Sequence, residues 1–117
     1  MSKHRETGAR GERLAEEFLA TNGYHILYRN WRSAQKEVDL IALDGDTLVF
    51  FEIKTRSGLG FGFPEEAVNS RKQGFLRAAA QHFSYQYPEY EKFRFDVISI
   101  ILQGDFLKDL RHLRDAF

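Results

Sequence analysis

The chain has no cysteine, which excludes disulfide staples and thiolate metal sites and fits a reducing, cytoplasmic setting. No apolar run approaches the roughly 20 residues that a membrane-spanning helix needs. The polar N-terminus lacks the apolar core of a secretory signal, so no membrane partner is expected. Internal repeats and low-complexity tracts are absent too. His4, His25, His82 and His112 have no mutual spacing typical of a zinc site. Gly58, Gly60 and Gly62 follow a candidate strand but lack the last spacing and the early helix start of a dinucleotide fingerprint. Nor is one sign of charge in excess: 17 Lys and Arg balance 17 Asp and Glu. That neutrality argues against a generally basic nucleic-acid binder. Its distribution softens the objection, because Lys3, Arg5, Arg10, Arg13, Arg29, Arg32 and Lys36 crowd the first third and a second basic excess runs from Lys54 to Arg77.

What is present is enough for one core. With 117 residues, 43% of them hydrophobic and eleven of them Phe, the chain is expected to form a single domain over 1–117. The pattern predicts a helix over about 7–22, strands over about 24–31, 37–43 and 48–55, a helix from Pro64 to about Tyr85, a strand over about 93–102, and a short helical segment from Asp105. The first three strands suit an antiparallel meander, and the long helix can carry the chain to a fourth strand parallel to the third. The expected class is α/β, a mixed sheet flanked by helices.

Charges sit in unusual places on this frame. If Gly45 and Asp46 are the central residues of a primed hairpin turn, Asp39 lies opposite Glu52. A turn centred on Asp44 and Gly45 instead pairs Glu37 with Glu52 and keeps Asp39 as a diagonal neighbour. Lys54 lies two residues beyond Glu52 on the same face. The strand carrying them is apolar on both faces, with Leu48 and Phe50 on the Glu52 side and Val49, Phe51 and Ile53 on the other, as in a central strand. Opposed carboxylates at the rim of a buried layer repel, and burial adds several kcal/mol per ion unless a cation or proton offsets it. A divalent metal would do so, with Lys54 as a partial substitute. An exposed lysine–carboxylate cluster is the plainer alternative.

Two helices add candidates. Glu12 precedes Ala15, Phe18, Leu19 and Asn22 at helical intervals, which turns it toward the core, unless it simply complements a positive helix N-terminus. Gly8 and Gly11 allow close approach on the same helix. In the second helix Lys72 falls within the stripe Val68, Phe75, Leu76, Ala79 and Phe83, with Arg71 and Arg77 off it. Lys72 either snorkels to solvent or reaches over the sheet edge toward an anion beside Glu52.

Gly11-Glu12, Glu37-Val38-Asp39-Leu40-Ile41, the run Leu48 to Arg56, Phe61-Gly62 with Pro64 and Glu66-Ala67-Val68, Lys72, Arg94-Phe95-Asp96-Val97 and the closing Ala116-Phe117 resemble the YraN family of small bacterial proteins. The likeness spans nearly the whole chain in the right order. That family is similar to the PD-(D/E)XK nucleases, and most closely to archaeal-type Holliday-junction resolvases. The resemblance implies a restriction-endonuclease-like core, Asp39 and Glu52 as metal ligands, Lys54 as the lysine of the E-x-K triplet, Glu12 as the helix-one glutamate and Lys72 as the frequent Gln/Lys of the following helix. Val38 departs from the proline of the motif's name.

The residue types fit phosphodiester hydrolysis. Asp39 and Glu52 suit Mg²⁺ or Mn²⁺, with the Ile53 carbonyl as a third ligand, while Lys54 is expected to orient or help deprotonate the attacking water and Glu12 to bind a second ion or a metal-bound water. Arg56, Arg71 and Lys72 belong to a basic rim suited to a phosphate backbone. The expected activity is a metal-dependent endonuclease acting on structured DNA. A catalytically silent nucleic-acid-binding module and a protein-interaction factor are the alternatives, and a homodimer would serve cutting of two strands. The loop Ser57 to Phe63 either stacks Phe61 and Phe63 on nucleic acid or caps the core with them. Asp96 is expected to pair with Arg94, Arg56 or a backbone amide.

Overall fold

A computed structural model describes residues 3–33, 36–57 and 70–117, with the side chains of 3–6 left aside. The order is α1 (Lys3–Thr21), β1 (His25–Ser33), β2 (Lys36–Asp44), β3 (Thr47–Ser57), α2 (Ser70–Gln86), β4 (Lys92–Gln103) and β5 (Phe106–Leu113). The strands form one sheet in chain order, antiparallel at every junction except the parallel pair β3 and β4. Among the described residues no helix is long and apolar enough to cross a membrane.

Two-residue alternation along β3 builds the layers. Val49, Phe51 and Ile53 pack with Leu40, Ala42 and Ile98 against Ala15 and Leu19 of α1. Leu48 and Phe50 pack with Val38 and Ile41 against Leu76, Ala79 and Phe83 of α2. One helix therefore covers each face of a mixed sheet, the expected α/β architecture. Helix α1 ends in a glycine cap: Gly23 takes a φ of 87° and Tyr24 N–H donates to the Leu19 carbonyl at 3.0 Å. Gly11 faces Thr55 of β3 so closely that a Cβ there would lie 1.8 Å from the threonine hydroxyl, which is how α1 settles onto the sheet. Gly8 faces open space.

The β2–β3 hairpin turns on Gly45 and Asp46, with Asp44 opposite Thr47 and Leu40 opposite Phe51. Gly45 has a φ of 62°, as the first central position of a primed turn requires.

The C-terminal region departs from expectation. The helical segment predicted from Asp105 is strand β5, paired with β4 through a turn at Gly104 and Asp105. Leu107, Leu110 and Leu113 imitate a helical stripe, but the Gly-Asp turn, with Gly104 at a φ of 58°, repeats the chemistry of the first hairpin and dictates a return strand. As an edge strand β5 leaves Phe106 78% and Leu107 45% exposed. Phe75, predicted in the buried stripe of α2, is 48% exposed, because the stripe is carried by Leu76, Ala79, Ala80 and Phe83. The predicted helix start at Pro64, Val68 in its stripe, and Phe61 and Phe63 of the glycine-rich loop lie outside the described residues.

Candidate functional site

Glu52 is a charged residue in the middle of the sheet, 3% exposed, on the α2 face with Leu48 and Phe50. Its Oε1 meets Lys72 Nζ at 2.6 Å and Lys54 Nζ at 3.3 Å. Lys72 therefore reaches inward over the sheet instead of snorkelling away. Burial works against its charge, but the hydrogen bond and ion pair with Glu52 prevail and raise its pKa.

Asp39 arrives by a route that alternation does not predict. The β2–β3 ladder stops at Leu40 and Phe51, so Asp39 and Glu52 are not a bridged pair. Val38 and Ile41, three residues apart, both join the α2-side cluster, which regular alternation forbids. The break falls at Asp39, whose Oδ2 accepts the Ile53 backbone N–H at 2.8 Å. The aspartate thus takes the hydrogen bond that a continued strand would have supplied. It is half-buried, and burial, the Glu52 charge and the Glu12 charge push its pKa up to about 7 against the Ile53 hydrogen bond and Lys72.

Glu12 completes the group. Helix α1 begins at Lys3, so Glu12 lies well inside it and the N-terminal dipole does not account for its position. Burial first, then the charges of Glu37 and Glu52, raise its pKa, while a hydrogen bond from the Asn30 side chain lowers it. Glu12, Asn30 and Asp39 line a cavity of about 220 Å³ together with Arg13, Glu16 and Arg29. Arg29 is held to Glu16 at its rim, with Nε at 2.8 Å from Oε2.

The structure thus brings Glu12, Asp39, Glu52, Lys54 and Lys72 into one electrostatic neighbourhood, with Ile53 as the strand residue between Glu52 and Lys54. Arg56 is half-buried two residues beyond Lys54. Arg71 turns away and lies over the Phe75 ring at 5.5 Å. Among the described residues no three Asp, Glu or His side chains converge into a ready metal cage. The donor set still fits a hard cation, being all oxygen, with the pKa values of the Asp39 and Glu12 carboxyls raised by burial and by their acidic neighbours.

A second buried carboxylate has a different setting. Asp96, 0% exposed, accepts Arg94 Nε at 2.9 Å, Arg94 Nη2 at 3.0 Å, His112 Nε2 at 2.7 Å and the Asp115 N–H at 2.9 Å. Burial raises its pKa, but the hydrogen bonds from His112, Arg94 and Asp115 outweigh it and the net shift is downward. Arg94 also reaches Asp44 at 2.8 Å and the Tyr24 hydroxyl at 2.8 Å. Of the three expected Asp96 partners, Arg94 and a backbone amide are present. His112 is a further partner, delivered by β5 where the sequence pattern predicts a helical segment.

Fold and site together define an α/β domain compatible with a restriction-endonuclease-like core, carrying an acidic cluster beside one lysine of its central strand and one of α2. The profile of the "Uncharacterised protein family UPF0102" matches residues 11–100, and the chain belongs to that family, the YraN family. It is 44% identical over 125 aligned positions to a UPF0102 protein of Rhodococcus opacus, covering 100% of both chains. It is 41% identical to a UPF0102 protein of Natranaerobius thermophilus, covering 97% of this chain and 98% of that one. It is also 42% identical to a UPF0102 protein of Caldicellulosiruptor saccharolyticus, with the same coverage.

Proposed function

We propose that this chain is a divalent-cation-dependent endonuclease that hydrolyses phosphodiester bonds in DNA, with branched or otherwise structured DNA of repair or recombination as its substrate class. One observation carries the reading: burial and the Glu52 charge hold the Asp39 carboxyl at about 7, at a break in β2, while Glu52 itself meets the Lys54 and Lys72 amines. Excess negative charge at a partly enclosed position calls for a cation.

Asp39 and Glu52, with the Ile53 carbonyl, would hold Mg²⁺ or Mn²⁺, which supplies a Lewis acid for the phosphoryl oxygen and a more acidic water. Lys54 would orient the attacking water or, in its neutral form, help to deprotonate it, while Glu12 would bind a second ion or a metal-bound water. Lys72 and Arg56 would neutralise phosphates on either side, with Arg71 further out, and charge compensation in the transition state would come from Lys72 and Arg56. A homodimer would place a second site for the opposite strand.

The test is a cleavage panel of junction, flap, single-stranded and duplex DNA with Mg²⁺ or Mn²⁺, run beside the Glu52→Ala protein. Cleavage of a branched substrate by the parent and not by the folded variant is expected. Equal cleavage by both proteins places the activity elsewhere and ends the proposal.

One contact favours a second reading. Lys72 at 2.6 Å already supplies Glu52 with a positive partner. A nucleic-acid-binding module without turnover would use the site in that paired form. Salt-dependent DNA binding without Mg²⁺-stimulated cleavage selects it. Failure of both assays leaves the protein-interaction factor.

A further inference from the structure

We infer that Asn30 is a positioning residue of the acidic cluster: a left-handed backbone sets its exposed side chain at the open edge of the cavity, where it holds the Glu12 carboxylate on the Asp39 side. The consequence for catalysis rests on the nuclease reading above, whereas the Asn30–Glu12 link does not.

Backbone conformation is the first support. Asn30 has a φ of 49°, and among the described residues only Asp115 is another non-glycine residue with positive φ. Asn tolerates this region better than most side chains, yet the conformation still costs free energy that surrounding contacts must offset. Placement is the second. Asn30 faces Asp39 across the β1–β2 pair, between the partners Arg29 with Leu40 and Trp31 with Val38. Both strands lose alternation at this point, because Tyr28 and Trp31 share the α2-side cluster just as Val38 and Ile41 do. Two breaks that coincide across one ladder redirect two side chains together, and both line the cavity that also contains Glu12.

Chemistry is the third support. A half-buried carboxylate such as Glu12, beside other acids, is disfavoured, and a neutral carboxamide can donate to it without adding a cation that would compete for the same oxygens. The Asn30 hydrogen bond acts on Glu12 in that sense. Glycine would satisfy the backbone equally well at this φ, so the carboxamide is what distinguishes a positioning role from a turn.

Asn30→Gly therefore separates the two, because it keeps the left-handed backbone and removes the amide. Its melting temperature is expected within about 3 °C of the parent. Its Mn²⁺ affinity, measured by calorimetry on the full chain, is expected to fall about 10- to 100-fold, as for other groups that orient metal ligands. Adding Asn30→Gly to Glu12→Gln is expected to cost nothing further, since both act through one carboxylate. Unchanged Mn²⁺ affinity in Asn30→Gly, or fully additive losses in the double variant, overturns the inference. A second measurement is independent of metal. The Asn30 side-chain amide resonances of the cation-free protein are expected to shift in Glu12→Gln, and an unmoved pair overturns the positioning role outright. A parent protein that neither binds Mn²⁺ nor cleaves DNA sinks the nuclease reading instead, while the amide shift still decides the link.

Discussion

Asp39 and Asp96 are carboxylates set into one sheet, and they differ in what their oxygens find. Asp96 is wholly buried and accepts four hydrogen bonds from Arg94, His112 and the Asp115 amide, so its pKa is lowered. Asp39 accepts one backbone N–H, and burial with the charges of Glu52 and Glu12 outweighs that bond and the more distant Lys72, so its pKa rises to about 7. A saturated carboxylate fastens structure together. An undersupplied one costs stability that the surrounding fold must offset, and on the proposed reading a cation is what it lacks.

The contrast can be broken most forcefully at Glu52. Glu52→Ala is expected to lower cleavage by more than about a thousandfold, comparable to removing a main electrostatic stabiliser. Far-UV circular dichroism of the variant should be unchanged. If instead the variant unfolds while keeping activity per folded molecule, Glu52 belongs with Asp96 as a fastener.

Next in size is Asp96→Ala, which leaves Arg94 and His112 buried without their acceptor. A loss of about 3–5 kcal/mol is expected in urea unfolding, with cleavage per folded molecule retained. A substitution there that spared stability and abolished cleavage would reverse the two assignments.

Asp39→Asn sharpens the comparison through pH. The folded pKa lies above the ordinary carboxylate value, so between about pH 4 and 7 the folded chain binds more protons than the unfolded one and stability falls as pH rises. Removing the charge is therefore expected to stabilise the cation-free protein at pH 8, on the order of 1–3 kcal/mol after solvent screening, and to leave stability at pH 4 nearly unchanged. Asp96 has the opposite sign: its contribution is present above the ordinary carboxylate range and is lost as pH falls through its lowered pKa.

The smallest effect concerns the helix that covers both regions. Gly11→Ala places a Cβ 1.8 Å from the Thr55 hydroxyl and should cost about 1–3 kcal/mol. Thr55→Gly in the same chain removes the clashing atoms, and partial recovery of the melting temperature is expected.

Much of this was legible in the sequence for physical reasons. Gly45-Asp46 set the register, and apolar residues on both faces of Leu48 to Ile53 marked the central strand. Lys72 stood out because an amine in an apolar stripe needs an acceptor. Other features left weaker traces. The Asp39–Ile53 hydrogen bond depends on a failure of alternation, which a period-based reading assumes away. The Asp96–His112 contact depends on pairing between β4 and β5, which three leucines at helical spacing concealed. Gly104-Asp105, the same dipeptide as in the first turn, was the signal that would have revealed it.

The parallel pair of β3 and β4 also bears on how the molecule assembles. Thr47 meets Lys92, and every later rung up to Ser57 with Leu102 likewise joins residues 45 positions apart. Such pairing is slow to nucleate, whereas the hairpin of β2 and β3 is local and forms early. Asp39 and Glu52 are consequently drawn together before α2 delivers Lys72 to Glu52. During that interval their repulsion opposes collapse, so refolding should quicken when salt is added.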